Sequence, residues 1–342
     1  MKAVVLVGGE GTRLRPLTET IPKPLINIVD RPQLDHVLDL LARHGVDEVV
    51  LSSPYLEQTF HPFIAARGDL PPSVRWITEE APLGTGGAIV NALEHLGDEP
   101  FLALNGDILT DLDLTAMRAF HRERGATATI GLTHVDDARP FGLVPIADDG
   151  RVIEFREKPL ERVPGDVNAG TYLLDPSSLT AWPAGENVSI EREIFPALIA
   201  DGRPLYGYLS EAYWLDLGTP EKYLQAHADI LEGEVEGLSY PAPWIADTAD
   251  VDLRSHLGRW VAVGAHASIA AEAAVDDSVL LPGAIVEARA HVTGTILGPG
   301  ARVGEGAIVT DGVLAEGAEV PDDMEIEGAR IPPGQIAAED ED

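Results

Sequence analysis

The sequence predicts an α/β domain with a mixed, mainly parallel sheet, followed by a parallel β-helix of hexapeptide repeats. Three observations carry this expectation. Residues 1–232 alternate short apolar runs with segments of helical spacing, helical spacing disappears after about Gly233, and from Val263 aliphatic residues recur by a fixed rule. Alternating strands and helices mean βαβ units, whose parallel strands are covered by helices. A six-residue rhythm instead marks triangular coils of short strands.

In chain order, KAVVLV reads as a buried strand and GGEGTR follows it directly. LDHVLDLLARHG places apolar residues at helical spacing and stops at Gly45. DEVVLSS predicts the next strand, 56–66 a helix, VRWI a strand, GGAIVNALEHLG a helix, and FLALNGD a strand ending in Gly-Asp. Beyond Asp111 the alternation loosens. ATATIGLTHV and GLVPIADDGRVIEF read as strands, the second folding as a hairpin across Asp149-Gly150, which suits a mixed sheet that builds a substrate pocket.

The expected boundaries are an α/β domain at 1–232, a linker at 233–258 opening with the Pro/Gly-rich GEVEGLSYPAPWIAD, a β-helix at 259–336 and an acidic tail at 337–342. The β-helix rule runs Val263, Ile269, Val275, Leu280, Val286, Val292, Leu297, Val303, Val309, Leu314, Val320, Ile326, Ile331, in steps of 6, 6 and 5. A small residue usually stands two places earlier, as at Ala267, Ala273, Ala284 and Ala290. One coil cannot bury its inner face alone, so the coils must stack.

Composition narrows the function. The chain has 342 residues, 24 Lys+Arg against 57 Asp+Glu, a net charge of -33 and no cysteine. Disulfides, thiolate catalysis and Cys-ligated metals are thereby excluded. A surface this acidic repels nucleic acid and anionic membranes. No apolar run approaches the ~20 residues that span a bilayer, and MKAVVLVGGEGTRLRP has no signal-peptide pattern. A cytoplasmic protein is expected. Of only four lysines, Lys2, Lys23, Lys158 and Lys222, two sit beside proline in IPKP and REKP.

Gly8, Gly9 and Gly11, directly after the first strand, let backbone N–H groups approach an anion, and Arg13 and Arg15 add fixed positive charge. The pattern is neither a Walker A loop nor a clean dinucleotide fingerprint. His36, His44, His61, His95 and His121 show no ligand spacing, so no zinc is assigned. Trp182, Trp244 and Trp260 read as packing residues.

GGEGTRLRPLT followed by PKPL resembles the motif of sugar-1-phosphate nucleotidyltransferases, the NDP-sugar pyrophosphorylases. EEAPLGTGGA, LNGD, EFREKP, NAGTY and WLDLG agree with that family in order, so the resemblance covers essentially the whole chain. It implies a Rossmann-like domain and a left-handed β-helix, as in GDP-mannose pyrophosphorylases. The implied reaction joins a nucleoside triphosphate to a sugar 1-phosphate and releases pyrophosphate, which asks for cations and alignment more than for a covalent nucleophile.

The resemblance also implies roles. Arg13 and Lys23 are the catalytic cations, one on the leaving pyrophosphate and one at the α-phosphate. Leu6, Gly8, Gly9, Gly11, Thr12, Glu79, Gly84, Thr85, Asn105 and Gly106 join Arg13 around the nucleotide. Gly142, Glu157, Lys158, Asn168 and Gly170 line the sugar-phosphate pocket. Asp107 and Asp216 are the expected Mg²⁺ ligands, since two carboxylates with phosphate oxygens suit this ion. Asp111 and Asp113 read instead as capping or surface residues.

Glu79 stands where related pyrimidine-specific enzymes have Gln. A carboxylate offers only acceptors, which suits the adjacent N1–H and N2–H₂ of guanine. The alternative is that Glu79 faces solvent and backbone groups near Gly84 and Thr85 read the base. GTP with mannose 1-phosphate leads, with heptose 1-phosphate or another triphosphate (UTP, dTTP, ATP) as alternatives. A non-catalytic regulatory paralogue would be expected to lose Arg13, Lys23 or a metal Asp, and none is lost. Acyl transfer by the β-helix would call on His266 or His291, but the regular spacing leaves no inserted loop for an acyl donor. A homo-oligomer through the β-helix or the α/β domain is expected.

Overall fold

The computed structural model describes residues 1–54 and 57–338. Two compact units emerge, one of Met1–Gly9 with Leu34–Trp214, the other of Glu10–Gln33 with Leu215–Asp342. The packing groups 10–33 with the C-terminal part, across the division expected at residue 232. The cause is visible inside the second unit. Helix α6 (Pro220–Glu232) carries Tyr223, whose hydroxyl donates to the Asn27 carbonyl, and Tyr240 donates to Asp30 Oδ1 at 2.7 Å.

In the first unit a nine-stranded sheet is formed by β1 (Lys2–Leu6), β2 (Glu48–Ser53), β3 (Ser73–Thr78), β4 (Phe101–Asn105), β5 (Ala128–Val135), β6 (Gly142–Leu143), β7 (Arg156–Glu157), β8 (Gly165–Leu174) and β9 (Leu205–Leu209). The main path runs β7-β6-β8-β4-β1-β2-β3, and β5 pairs with both β8 and β9. Pairs β4/β1, β1/β2, β2/β3 and β5/β9 are parallel, whereas β8 runs antiparallel to β4, β5 and β6. The mixed sheet is therefore as expected. Helices α1 (Gln33–Arg43), α2 (Glu57–Arg67), α3 (Gly84–Leu96), α4 (Leu114–Arg124) and α5 (Phe195–Ala200) accompany it. The α2 helix starts at Glu57, and Leu56 of the predicted helix lies outside the described residues.

The core of this unit gathers Val4, Ile89, Phe101, Ile130, Tyr172, Ile190, Ile194 and Phe195, each fully buried. The hairpin predicted across Asp149-Gly150 forms, with Ile146 bridged to Val152, although its strands are short. Asp113 caps α4 by accepting from the N–H groups of Thr115 and Ala116, and Asp111 accepts from Tyr213 N at 2.8 Å. Asp113 is the expected cap, whereas Asp111 is half-buried and bonds a distant backbone group instead of capping or facing solvent.

In the second unit the β-helix is built from three parallel ladders of short strands. Its inner aliphatics pack as the rule predicts, with Val263, Val275, Val286, Val292, Leu297, Val303, Val309, Leu314 and Val320 fully buried above and below their equivalents. The coil register is 17 residues from Ala262↔Val279 onward, but 18 for Trp244↔Ala262 and Asp250↔Ser268. The first coil therefore begins at Trp244, inside the stretch expected to be linker. It escaped the rule because Leu257 to Val263 spans six residues where later coils take five.

The shortened corner is closed by hydroxyls. Ser278 Oγ donates to Asp276 O and accepts from Thr295 N at 3.0 Å, and Thr295 Oγ1 accepts from Gly312 N at 3.1 Å. The residue turning this corner is left-handed in the coils after the first: Asp277, Gly294, Asp311 and Gly328 all have positive φ. Asp and Gly tolerate that conformation better than other residues. The end of the predicted acidic tail, 339–342, lies outside the described residues.

Candidate active site

Within the first unit, the Gly-rich motif starts where β1 ends at Leu6. A Cβ on Gly8 would lie 2.8 Å from Pro54 Cδ, so glycine is needed for close passage here, whereas a Cβ on Gly9 would meet nothing within 4 Å. Asn105 ends β4, and Gly106 N donates to Leu6 O at 2.9 Å, which sets the turn that carries the half-buried Asp107.

Glu79, the expected base reader, is buried. It is 5% exposed, and its two carboxylate oxygens accept from Ser52 Oγ at 2.9 Å and Leu83 N at 3.1 Å. Its negative charge braces the loop into α3 rather than facing solvent. Gly84 follows at φ 69°, and the α3 N-terminus has no side-chain cap. Gly86 and Gly87 have a packing reason: a Cβ at Gly87 would meet Glu186 O at 2.2 Å, and one at Gly86 would meet Ile190 N at 2.9 Å.

The residues expected to line the sugar-phosphate pocket lie on or beside β6, β7 and β8. Glu157 pairs in register with Gly142, where an added Cβ would strike Phe155 at 2.6 Å. Burial raises the Glu157 carboxyl above the ordinary range, and the nearby Glu191 carboxylate raises it further, against Lys158 and Arg192. Lys158 has φ 50°, an uncommon value for a lysine, and its exposed ammonium lies 3.8 Å from Glu157. Asn168 Oδ1 accepts from Gly170 N at 2.9 Å, inside an irregularity of β8 between Asn168 and Tyr172. Gly170, at φ 70°, leaves room for the Asn105 amide, which a Cβ would meet at 2.8 Å.

Within the second unit, Gly11 opens a 3₁₀ turn over Thr12–Leu14, and Thr18 Oγ1 donates to Gly11 O at 2.8 Å. Thr12 is exposed on this turn. Asp216 collects both catalytic candidates, with Arg13 Nη2 at 3.8 Å and Lys23 Nζ at 3.7 Å. Lys23 is buried at the start of its own 3₁₀ turn, while the Arg13 guanidinium is 63% exposed. A Cβ on Gly218 would sit 2.5 Å from the guanidinium, so glycine permits its placement. Such a pair of cations, one sheltered and one open, is suited to holding phosphate oxygens.

The two other lysines are structural. Lys2 donates to His95 O at 2.6 Å and Lys222 to Gln225 Oε1 at 2.9 Å. His266 and His291 are exposed on the β-helix, as expected of surface residues. Trp182 packs against the main core, and Trp260 donates to Glu232. Among the described residues no cluster of three or more His, Cys, Asp or Glu is arranged for a metal. Asp107 in the first unit and Asp216 in the second each offer a hard carboxylate oxygen, the donor type that suits magnesium.

Sequence reasoning missed Ser189, Glu191 and Tyr172. Glu191 sits in a single π-helical turn, Ile190–Ile194, and its Oε2 accepts from Thr85 Oγ1 at 2.7 Å and Ser189 Oγ at 2.8 Å. Tyr172 is fully buried beside Glu191 and accepts from Asn168 Nδ2 at 2.8 Å. A π-turn inside a helix is a signal of function, but no sequence pattern announces one.

Comparison with known proteins agrees with this chemistry. Residues 2–233 match the nucleotidyl transferase family model and residues 240–340 match the GMPPB C-terminal domain. The chain belongs to the nucleotidyl transferase family. Its relatives include a mannose-1-phosphate guanylyltransferase of Mycobacterium tuberculosis, 38% identical over 84% of this chain and 81% of that protein. A probable mannose-1-phosphate guanylyltransferase 2 of Arabidopsis thaliana is 36% identical over 82% of this chain and 80% of its own. Among solved structures, HddC from Yersinia pseudotuberculosis complexed with GMP-PN aligns with TM-score 0.57 and 30% identity, covering 66% of this chain and 97% of that one. Among the described residues no helix is long and apolar enough to cross a membrane.

Proposed function

We infer that this chain transfers a guanylyl group from GTP to mannose 1-phosphate, producing GDP-mannose and pyrophosphate. The observation that carries the reading is the gathering of Arg13 and Lys23 on Asp216, in a chain whose relatives are guanylyltransferases. An oxygen of the sugar phosphate attacks the α-phosphorus of the triphosphate, the P–O bond to the β-phosphate breaks, and pyrophosphate leaves with the electron pair. Arg13 steadies the leaving group, and Lys23 offsets charge that develops at the α-phosphate. Lys158 holds the sugar phosphate, while Glu157 and Asn168 receive the sugar hydroxyls.

Asp107 and Asp216 would hold Mg²⁺, which would supply Lewis-acid neutralisation of the phosphate oxygens. Leu6, Gly8, Gly9, Gly11, Thr12, Asn105 and Gly106 surround the nucleotide. With Glu79 committed to Ser52 and Leu83, base reading passes to backbone groups at Gly84 and Thr85. GMP-PN in the HddC neighbour supports a guanine nucleotide. A cytoplasmic setting and a homo-oligomer belong to the same reading, the latter checked by sedimentation.

The test is pyrophosphate release with Mg²⁺, mannose 1-phosphate and each nucleoside triphosphate in turn. Release with GTP alone is expected. Release with UTP, dTTP or ATP in its place overturns the base assignment, and release only with heptose 1-phosphate overturns the sugar.

A further inference from the structure

We propose that Tyr223 is a positioning residue that fixes Lys23 against Asp216, by tying the first turn of α6 to the hairpin that follows the PKPL motif. This inference rests on the functional reading above.

The observation is a closed circuit of contacts, all within the second unit. Asp216 stands shortly before Thr219, the N-cap of α6, so the start of the helix carries the carboxylate. Thr219 O accepts from Tyr223 N at 2.9 Å, which places the tyrosine one turn into the helix. Its side chain is 1% exposed, and its hydroxyl donates to the Asn27 carbonyl. From Asn27 the chain leads back to Lys23 through a tight 3₁₀ turn. There Leu25 N donates to Pro22 O at 2.8 Å and Ile26 N to Lys23 O at 3.2 Å. The Lys23 ammonium, 3.7 Å from Asp216, closes the circuit.

Both arms of the circuit are braced. Asn27–Ile28 pairs antiparallel with Arg31–Pro32, and Gln33 N donates to Ile26 O at 3.0 Å. Tyr240 donates to Asp30, at the turn of this hairpin, at 2.7 Å. On the other arm, the β-helix holds α6 at both ends. Glu221 lies 3.5 Å from Arg330 of the last coil, while Glu232 lies 2.8 Å from Arg259 and accepts from Trp260, just ahead of Ala262. From Glu221 to Glu232 a helix rises about 17 Å, and from Ala262 to Arg330 the ladder climbs about 19 Å. Between these ends the outward side chains Val279, Ile296 and Val313 are buried, as a helix laid across this face requires.

A helix clamped in this way does not follow a displaced hairpin, so the Tyr223 hydroxyl decides how near Lys23 comes to Asp216. Removing the hydroxyl opens the circuit at one bond and leaves the aromatic packing in place. Arg13 takes another route to Asp216, beside Gly218, where an added Cβ would meet its guanidinium at 2.5 Å. Lys23 offsets charge that develops in the transition state, so its misplacement lowers kcat and spares KM.

The experiment compares wild type, Tyr223→Phe and Ile230→Val in the full chain. It combines steady-state kinetics with GTP and mannose 1-phosphate, thermal melting, and acetylation by N-hydroxysuccinimidyl acetate read by mass spectrometry. With only four lysines in the chain, the rate at Lys23, 7% exposed, is read against that at the exposed Lys158. Tyr223→Phe should lower kcat about 10-fold, the scale of one lost hydrogen bond, and keep both KM values within about 2-fold of wild type. It should also raise the Lys23 rate relative to Lys158. Ile230→Val, fully buried on the same helix but outside the circuit, should melt lower and leave kcat and the Lys23 rate unchanged. A wild-type Lys23 rate in Tyr223→Phe, or an equal rise in Ile230→Val, overturns the proposal. A wild-type chain without turnover overturns the functional reading, and the acetylation rates still decide whether Tyr223 holds Lys23.

Discussion

Lys23 and His121 show how differently two buried titratable side chains are used. Lys23 has a carboxylate within 4 Å and lies in a motif of the chemistry, so Lys23→Met should lower kcat by about 10²–10³-fold. Melting should change by only a few degrees, and an unchanged kcat would remove Lys23 from catalysis. His121 has no such role. It is 6% exposed, its Nδ1 lies 2.8 Å from Thr129 Oγ1, and burial lowers its pKa below the usual value. The unfolded chain therefore binds a proton more readily than the folded one. The contribution is fully present above the unfolded pKa and is lost as pH falls from there through the folded pKa. His44, lowered mainly by burial, adds in the same direction. His121→Gln should flatten the fall of the urea midpoint below about pH 6.5, and an unaltered pH profile would refute the assignment. Arg13, Lys23 and Asp216 could be singled out as candidates because each stands in a short contiguous pattern. Glu191 was not, since its partner Thr85 is 106 positions away. For Glu79 the motif position states residue type and not the neighbours, Ser52 and Leu83, that its oxygens meet in the fold.

At the scale of the element, the β-helix was the most readable part of the chain. One aliphatic per side must point inward, and a fixed period leaves nowhere else for it to go. Only the first coil escaped, for its corner is one residue longer. The short strands around Gly142 and Glu157 were harder to see, because two-residue pairings leave no alternation to count. The corners make a sharp prediction. A Cβ at Gly298 would meet Ala315 backbone at 2.6 Å and Leu314 O at 2.7 Å, whereas at Gly300, with φ 64°, nothing lies within 4 Å. Gly298→Ala should therefore cost about 1–3 kcal/mol or more through overpacking. Gly300→Asn should cost well under about 1 kcal/mol, since Asn tolerates the left-handed region. Equal losses in chemical denaturation would refute the argument.

For the molecule as a whole, charge dominates. The net charge of -33 divides into -17 for residues 1–232 and -16 for 233–342, so the shorter C-terminal stretch is more acidic per residue. Ion pairs such as Arg302 with Glu287, Glu319 and Asp322 offset part of this locally. Uncompensated carboxylates repel one another, and salt shortens the reach of that repulsion to about 3 Å at 1 M. Melting temperature should rise between about 20 mM and about 1 M KCl. A melting temperature independent of salt would show that these surface charges do not oppose folding.

The 17-residue register described for the later coils makes length a quantised variable in this protein. Removing residues 281–297 joins Leu280 to Gly298 and passes each following side chain to the equivalent place one storey lower, so a shorter tower should still fold. Removing 281–296 instead leaves seven steps from Leu280 to Val303 where six are needed, so one residue must loop out at that corner and this tower should melt lower than the whole-coil deletion. Circular dichroism and sedimentation of the two deletions separate these outcomes. Natural variation in this part of the chain is then expected to come in whole storeys, while single-residue insertions are confined to corners where a side chain can loop out into water.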